Sequence, residues 1–134
     1  MGKITTIEGI GESYAGKLEE HGIATTEALL KKCCAPGGRK EVAEKTGISN
    51  KLILRWVNMS DLFRIKGVGE EYADLLEVAG VDTVPELAQR NADNLHAKMV
   101  EVNAAKSLVR QGPSASQVKG WVDQAKGLPR VLTY

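Results

Sequence analysis

The sequence predicts an all-α fold made of two copies of one helical unit, packed as one compact pseudo-symmetric body. Apolar residues recur at helical spacing over most of the 134 residues. A Gly-apolar-Gly turn that leads directly into a helix occurs twice, fifty-eight residues apart, in Ile7–Ala15 and Ile65–Ala73. A Trp-Val pair also occurs in both copies, at Trp56 and Trp121, with seven extra residues in the second copy, and we expect both tryptophans to anchor the core.

The first copy, assigned to residues 1–60, contains helices separated by residues that cap or break them. Gly22 ends the helix that follows the first glycine turn, and Thr25 or Thr26 caps the next helix. Pro36 and the two glycines after it predict a break in the chain. The predicted helices of this copy are residues 12–21, a short helix after Thr25 or Thr26 that holds residues 28–30, residues 39–46, and a helix capped by Ser49 that holds residues 52–57.

The second copy, assigned to residues 61–134, follows the same order. Its predicted helices are a short one from Ser60 or Asp61 through Ile65, residues 70–79, a short one capped by Thr83, residues 93–102, residues 104–111, and one that begins at Ser114 or Ser116 and holds residues 118–122. The tail, residues 130–134, is too apolar to be a loose end, so we expect it to pack against the body. Because a unit of about 60 residues is only marginally stable alone, the two copies are expected to form a single structure.

The charge is distributed unevenly, although the whole chain carries only +1. Residues 31–66 hold nine basic and three acidic side chains, a local balance of +6. A basic face of this kind attracts phosphate groups even when the total charge is near zero. The alternative interpretation is an ordinary solvated helix surface.

Several classes of protein are disfavoured by the composition. No apolar run approaches the roughly 20 residues that a membrane-spanning helix needs, and no signal peptide follows Lys3. Cys33 and Cys34 are adjacent, which disfavours a disulfide between them, and nothing spaces them for zinc. We expect a cytoplasmic protein with reduced thiols.

The two glycine turns are the strongest candidate for a binding site. A turn that opens into a helix directs free backbone N–H groups at any molecule that approaches the start of the helix, and such a site favours anions, phosphate above all. Glycine also lets the main chain approach a phosphate without a Cβ in the way.

Residues 7–23 and 65–81 resemble helix-hairpin-helix motifs. The resemblance rests on the glycine turn and on the residues that follow it, a small Ala15 or Ala73 and an apolar Leu18 or Leu76. The whole arrangement, with the Lys51–Val57 stretch before the second turn, also resembles a bacterial family of unknown function, DUF4332. Helix-hairpin-helix membership implies contact with the DNA backbone that is independent of base sequence. Such contacts position a nucleic acid and do not read its bases.

We therefore predict a non-catalytic module that binds nucleic acid, DNA in particular, through its backbone phosphates. The predicted binding residues are the two turns and the basic side chains near them: Gly9, Ile10, Gly11, Glu12, Ser13, Lys17, Lys31, Lys32, Arg39, Lys40, Lys51, Arg55, Lys66, Gly67, Val68, Gly69 and Glu70.

The turns depart from the helix-hairpin-helix pattern at one position. DNA-binding members commonly carry Lys or Arg just after the second glycine, where this chain has Glu12 and Glu70. An acidic residue in a first helical turn stabilises the helix but repels phosphate, so weak binding is expected. Lys17 lies one turn later in the first copy and compensates there, whereas Leu75 takes its place in the second.

Two alternatives stay open. The acidic helix starts also fit a protein-interaction or scaffold module, or a homodimer, that does not bind nucleic acid. Ala43, Gly47 and Ile53 have the spacing of a helix-turn-helix motif, whose reading helix would carry Asn50, Lys51 and Arg55. Because no catalytic motif is present, we expect no enzymatic activity, no cofactor, no metal and no membrane partner.

Overall fold

The computed structural model describes residues 3–7 and 9–134, and these residues form an all-α structure. This confirms the predicted fold class. The helices are α1 (Glu12–Glu20), α2 (Thr26–Cys33), α3 (Pro36–Thr46), α4 (Asn50–Leu62), α5 (Glu70–Val78), α6 (Val84–Ala88), α7 (Ala92–Lys106) and α8 (Ala115–Lys126), with a short 3-10 helix at Ile4–Thr6.

The chain divides into two compact units. Unit 1 comprises the residues up to Asp61 together with Val131–Tyr134, and unit 2 comprises Leu62–Arg130. The last four residues, which the sequence grouped with the second copy, therefore pack with unit 1. The expected packing of the tail is confirmed, because Leu132 is only 1% exposed and the backbone N–H of Thr133 donates to the carbonyl of Cys34 at 2.8 Å.

Capping side chains begin several helices where the sequence places them. Thr25 accepts a hydrogen bond from the N–H of Ala28 and caps α2. Ser114 and Gln117 form a reciprocal capping box at the start of α8. These bonds satisfy N–H groups that have no partner within the helix, and they fix where each helix starts.

Three predicted boundaries are wrong. The short helix expected from Ser60 or Asp61 through Ile65 does not form, because α4 continues without a break to Leu62. The break expected at Pro36 is the start of α3, since proline is tolerated in the first turn, where its missing N–H has no intrahelical partner. Gly38 is needed for packing, because a Cβ at this position would overlap the carbonyl oxygen of Lys32. The helix expected over residues 104–111 also does not form: α7 continues to Lys106 and ends at Ser107, whose φ of 51° is left-handed.

The buried side chains are mainly aliphatic, in a chain of which only 4% is aromatic, and one tryptophan is buried in each unit. Trp56 is 0% exposed in unit 1 and Trp121 is 3% exposed in unit 2. Both confirm the expected role of a core anchor. Among the described residues, no helix combines the length and the apolar character that crossing a membrane requires.

Candidate nucleic-acid interface

The two glycine turns fold in the same way. We call residues 9–11 the first bend and residues 67–69 the second bend. Gly9 has a φ of 94° and Gly67 a φ of 93°, which explains why each bend begins with glycine. Gly11 and Gly69 are extended and stand at the N-terminal ends of α1 and α5. The sequence repeat is therefore a repeat of backbone conformation.

Each bend lies against a tryptophan that is paired with a tyrosine. In unit 1 the rings of Tyr14 and Trp56 are tilted by 60°, with centroids 5.1 Å apart. In unit 2 the rings of Tyr72 and Trp121 are tilted by 52°, with centroids 5.2 Å apart. Edge-tilted pairs at this separation are favourable beyond the area they bury. The pair fixes the first turn of the helix relative to the bend.

The first bend presents its glycines at the surface. Gly9 and Gly11 are exposed, and so are Glu12 and Ser13 in the first turn of α1. Ile10 is buried and holds the bend to the core. Among the described residues, no side chain caps α1, so the N–H groups at its start have no side-chain acceptor. An oxyanion bound at the N-terminal end of α1 would supply that acceptor.

The first bend also has a cation beside it. A guanidinium nitrogen of Arg55 lies 3.7 Å from the position that a Cβ on Gly9 would take. Arg55 comes from α4, forty-six residues along the chain, so the fold brings together two residues that are distant in the sequence. In the second copy the residue before the tryptophan is Gly120, which has no side chain to play the same part.

The indole of Trp56 provides a second unusual feature at the first bend. Its Nε1 lies 3.6 Å from the same Cβ position on Gly9. This N–H is buried and has no hydrogen-bond partner among the described residues. A buried donor without an acceptor is costly, and such groups are rare outside sites that have another role.

The second bend also has exposed glycines and a helix start that its N-cap residue does not cap, but a side chain braces the residue before it. The N–H of Lys66 donates to Oε1 of Gln124 at 3.0 Å, and Nε2 of Gln124 donates to the carbonyl of Lys66 at 3.2 Å. This pair of bonds occupies the polar groups just before Gly67. Glu70, the next predicted contact after the bend, is half-buried, and Val68 is buried as Ile10 is. The second bend is therefore fixed to α8 through Gln124.

The remaining predicted basic residues fall into two groups. Lys17, Lys31, Lys40 and Lys51 are exposed on α1, α2, α3 and α4, and Lys66 is exposed just before the second bend. Lys32 shares a carboxylate oxygen of Glu41 with Lys45, which is not a predicted contact; the two distances are 3.4 and 2.8 Å.

The hydrogen bond from Lys45, with the charge of Lys32, holds the pKa of the Glu41 carboxyl below its usual value. Part of the positive charge of residues 31–66 is therefore offset by Glu41.

Arg39 differs from the other predicted contacts because it is 4% exposed. Its guanidinium donates to the carbonyl of Cys33 at 3.0 Å and to the carbonyl of Thr133 at 2.8 Å. These bonds hold the tail on unit 1. The buried guanidinium is occupied within the protein, so we do not include Arg39 in the proposed interface.

One known protein family matches the chain over a range that includes both bends. The family described as "Domain of unknown function (DUF4332)" matches residues 8–128. The chain belongs to this family. The DUF4332 region includes both bends and both tryptophans, and it ends before the tail that packs on unit 1. Neither the comparison with curated proteins nor that with solved structures returned a match.

Two residues of the DUF4332 chain take part in the bends in ways that the sequence did not predict. Trp56 was assigned to the core alone, whereas its indole N–H lies beneath the first bend. Gln124 was not singled out at all, although it fixes the backbone before the second bend. The only sequence feature that points to a role of Trp56 at the bend is that a tryptophan recurs at the same place in both copies.

Proposed function

We propose that the protein is a non-catalytic nucleic-acid-binding module that holds a backbone phosphate at the first bend. The observation that carries the proposal is the guanidinium of Arg55 beside the exposed Gly9, at the uncapped start of α1. Backbone N–H groups, a helix N-terminus and an arginine are the groups that proteins use to bind phosphate oxygens. Together they favour one phosphate without reading a base.

The acidic residue after the bend sets the expected strength of binding. Glu12 is exposed beside the proposed phosphate position and repels it, while Arg55 attracts it. Lys17 and Lys51 are exposed and supply further charge. If three phosphates of a duplex are contacted, the logarithm of the affinity falls with the logarithm of salt concentration at a slope of roughly −2.7.

The second bend is assigned a structural role. Its preceding backbone groups are bonded to Gln124, and Gly120 stands where unit 1 has Arg55. The interaction-module alternative draws its support from Glu12 and Glu70, whose charge disfavours phosphate. Because, among the described residues, only the first bend has an arginine beside it, comparing the two bends in one experiment distinguishes phosphate binding from protein interaction.

The test is a matched pair of charge reversals, Glu12→Lys and Glu70→Lys, at equivalent positions of the two copies. Binding of labelled oligonucleotides is measured by fluorescence anisotropy over a range of salt concentrations. Glu12→Lys adds a cation at the proposed site, so the salt slope should steepen by about 0.9. The ratio of the affinity at 0.1 M salt to that at 1 M salt should then be about eightfold larger than in the unaltered protein. Glu70→Lys should leave the slope close to that of the unaltered protein.

The two variants also control for stability. Each places a lysine in a first helical turn, which costs about 0.3–1 kcal/mol in either unit. Equal gains from both would contradict the assignment to the first bend. Binding that is absent, or that does not respond to salt, would overturn the proposed function and leave the interaction module.

A further inference from the structure

We infer that the nucleic acid held at the first bend is single-stranded, DNA or RNA, and that one of its bases stacks on the ring of Tyr134. This inference rests on the proposed function and names the class of substrate for the same site. It comes from three features of unit 1: a fixed aromatic ring at the surface, the segment that holds it, and its position along α4.

The ring of Tyr134 is exposed and held in place. It is 64% exposed, and the other large apolar side chain that is similarly exposed among the described residues is Val100 at 52%. The hydroxyl of Tyr134 donates to Oδ1 of Asn58 at 3.2 Å, and the guanidinium of Arg39 lies 5.7 Å from the ring centroid. Asn58 and Arg39 are themselves buried, so both anchors of the ring are fixed.

The segment before the ring is anchored as well. Leu132 is 1% exposed, and the N–H of Thr133 donates to the carbonyl of Cys34 at 2.8 Å. Arg39 donates to the carbonyl of Thr133 and also lies beside the ring of Tyr134. A surface aromatic ring normally covers apolar surface, whereas this ring is held by polar groups and keeps most of its area in water. Little conformational entropy is lost when a flat ligand stacks on a ring that is already fixed.

Asn58, which holds the ring, lies on the same face of α4 as Arg55. Lys51, Arg55 and Asn58 are spaced by four and three residues along α4, which places them on one face. Arg55 lies beside Gly9, and Asn58 holds Tyr134 about 4.5 Å further along the helix axis, from a rise of 1.5 Å per residue. The residues of α4 that contact the first bend and the ring are therefore about one helical turn apart.

This arrangement fits a single strand better than a duplex. Proteins that bind single strands combine cations that follow the backbone with aromatic rings on which bases stack, and the stacking tolerates any base. In a duplex the faces of the bases are covered by their neighbours in the stack. A ring beside the phosphate site gains contact only with a base that is free to turn outward.

The experiment measures the affinity of the full chain for labelled single-stranded DNA, single-stranded RNA and a duplex of the same length. The expected result is tighter binding of at least one single strand than of the duplex. Tyr134→Ala should weaken binding of that strand about 5- to 160-fold, the range given by loss of one base–aromatic stack. Tyr134→Phe keeps the ring but loses the hydroxyl bond to Asn58, so its loss should be clearly smaller than that of Tyr134→Ala.

A charge variant separates stacking from phosphate contact. Arg55→Gln should reduce the salt slope on single strands by roughly 0.7, the value for one phosphate, whereas Tyr134→Ala should leave the slope unchanged. Val100→Ala removes the other exposed apolar side chain and should have no effect. Circular dichroism checks that each variant is folded, and Tyr134→Phe keeps the test decisive if Tyr134→Ala disturbs the tail.

The outcomes distinguish this inference from the function on which it rests. Equal affinity for duplex and single strands, with no loss in Tyr134→Ala, overturns the inference while a reduced slope in Arg55→Gln still supports phosphate binding at the first bend. Equal losses in Tyr134→Phe and Tyr134→Ala also overturn it, because the ring would then not be the contact. No binding to any of the three probes overturns both proposals.

Discussion

The conformation of Gly9 leads to a prediction that joins the fold to the proposed site. Gly9 has a φ of 94°, a region that residues with a Cβ rarely adopt, and an added Cβ would lie 3.6 Å from Nε1 of Trp56. That distance is an ordinary contact, so the cost of Gly9→Ala is backbone strain, about 1–3 kcal/mol. Alanine also restricts the unfolded chain, which stabilises the folded protein by about 0.4–1 kcal/mol. The free energy of unfolding should therefore fall by about 1–2 kcal/mol in Gly9→Ala.

Gly11→Ala is the matched control. Gly11 has a φ of −86°, and a Cβ there would have nothing within 4 Å. Its effect should be close to zero, since the weaker helix cap of alanine offsets the gain in the unfolded state.

Thermal unfolding followed by circular dichroism should show Tm lowered by about 3–10 °C in Gly9→Ala and nearly unchanged in Gly11→Ala. Gly67→Ala should lose more than Gly9→Ala, because its Cβ would lie 3.1 Å from Nε1 of Trp121. If Gly9→Ala is as stable as Gly11→Ala, the bend does not depend on glycine and the reasoning fails.

Three further predictions concern the packing of unit 1. Gly38→Ala should lower the free energy of unfolding by about 1–3 kcal/mol in urea titrations, whereas Gly37→Ala, with open space around its Cβ position, should lower it little or not at all. Leu132→Ala should cost about 2–3 kcal/mol if the tail is part of the core, and no change would show that it is not. Burial raises the pKa of the Cys33 thiol from 9.0 to about 11. Between these values the thiol ionises only in the unfolded chain, so the free energy of unfolding should fall as the pH rises above 9. A Cys33→Ala variant should lose that pH dependence.

The fold class could be predicted because the repeat consists of glycines and of apolar residues at helical spacing. Gly9 and Gly67 are required by backbone conformation, and their recurrence marked both bends. The start of α3 could not be predicted, because Pro36 followed by two glycines indicates a break unless the packing of Gly38 against Lys32 is known. Local propensity was overridden there by contact between α2 and α3.

The candidate site was only partly predictable. The glycine bends were identified from their own residues, but the approach of Arg55 to Gly9 depends on how α4 packs, which no spacing reveals. For the same reason the sequence included Arg39 among surface cations, although the structure buries it beneath the tail. Tyr134 carried no local signal, because its position depends on a hydrogen bond to Asn58, seventy-six residues away.

The most direct test of phosphate binding at the first bend is the amide chemical shift of the bends during titration with an oligonucleotide. In ¹H–¹⁵N correlation spectra, the amides of residues 11–13 should shift progressively and saturate with the measured affinity, and added salt should reverse the shifts. The amides of residues 69–71 should move little. Equal shifts at both bends, or shifts confined to other parts of the chain, would contradict the account.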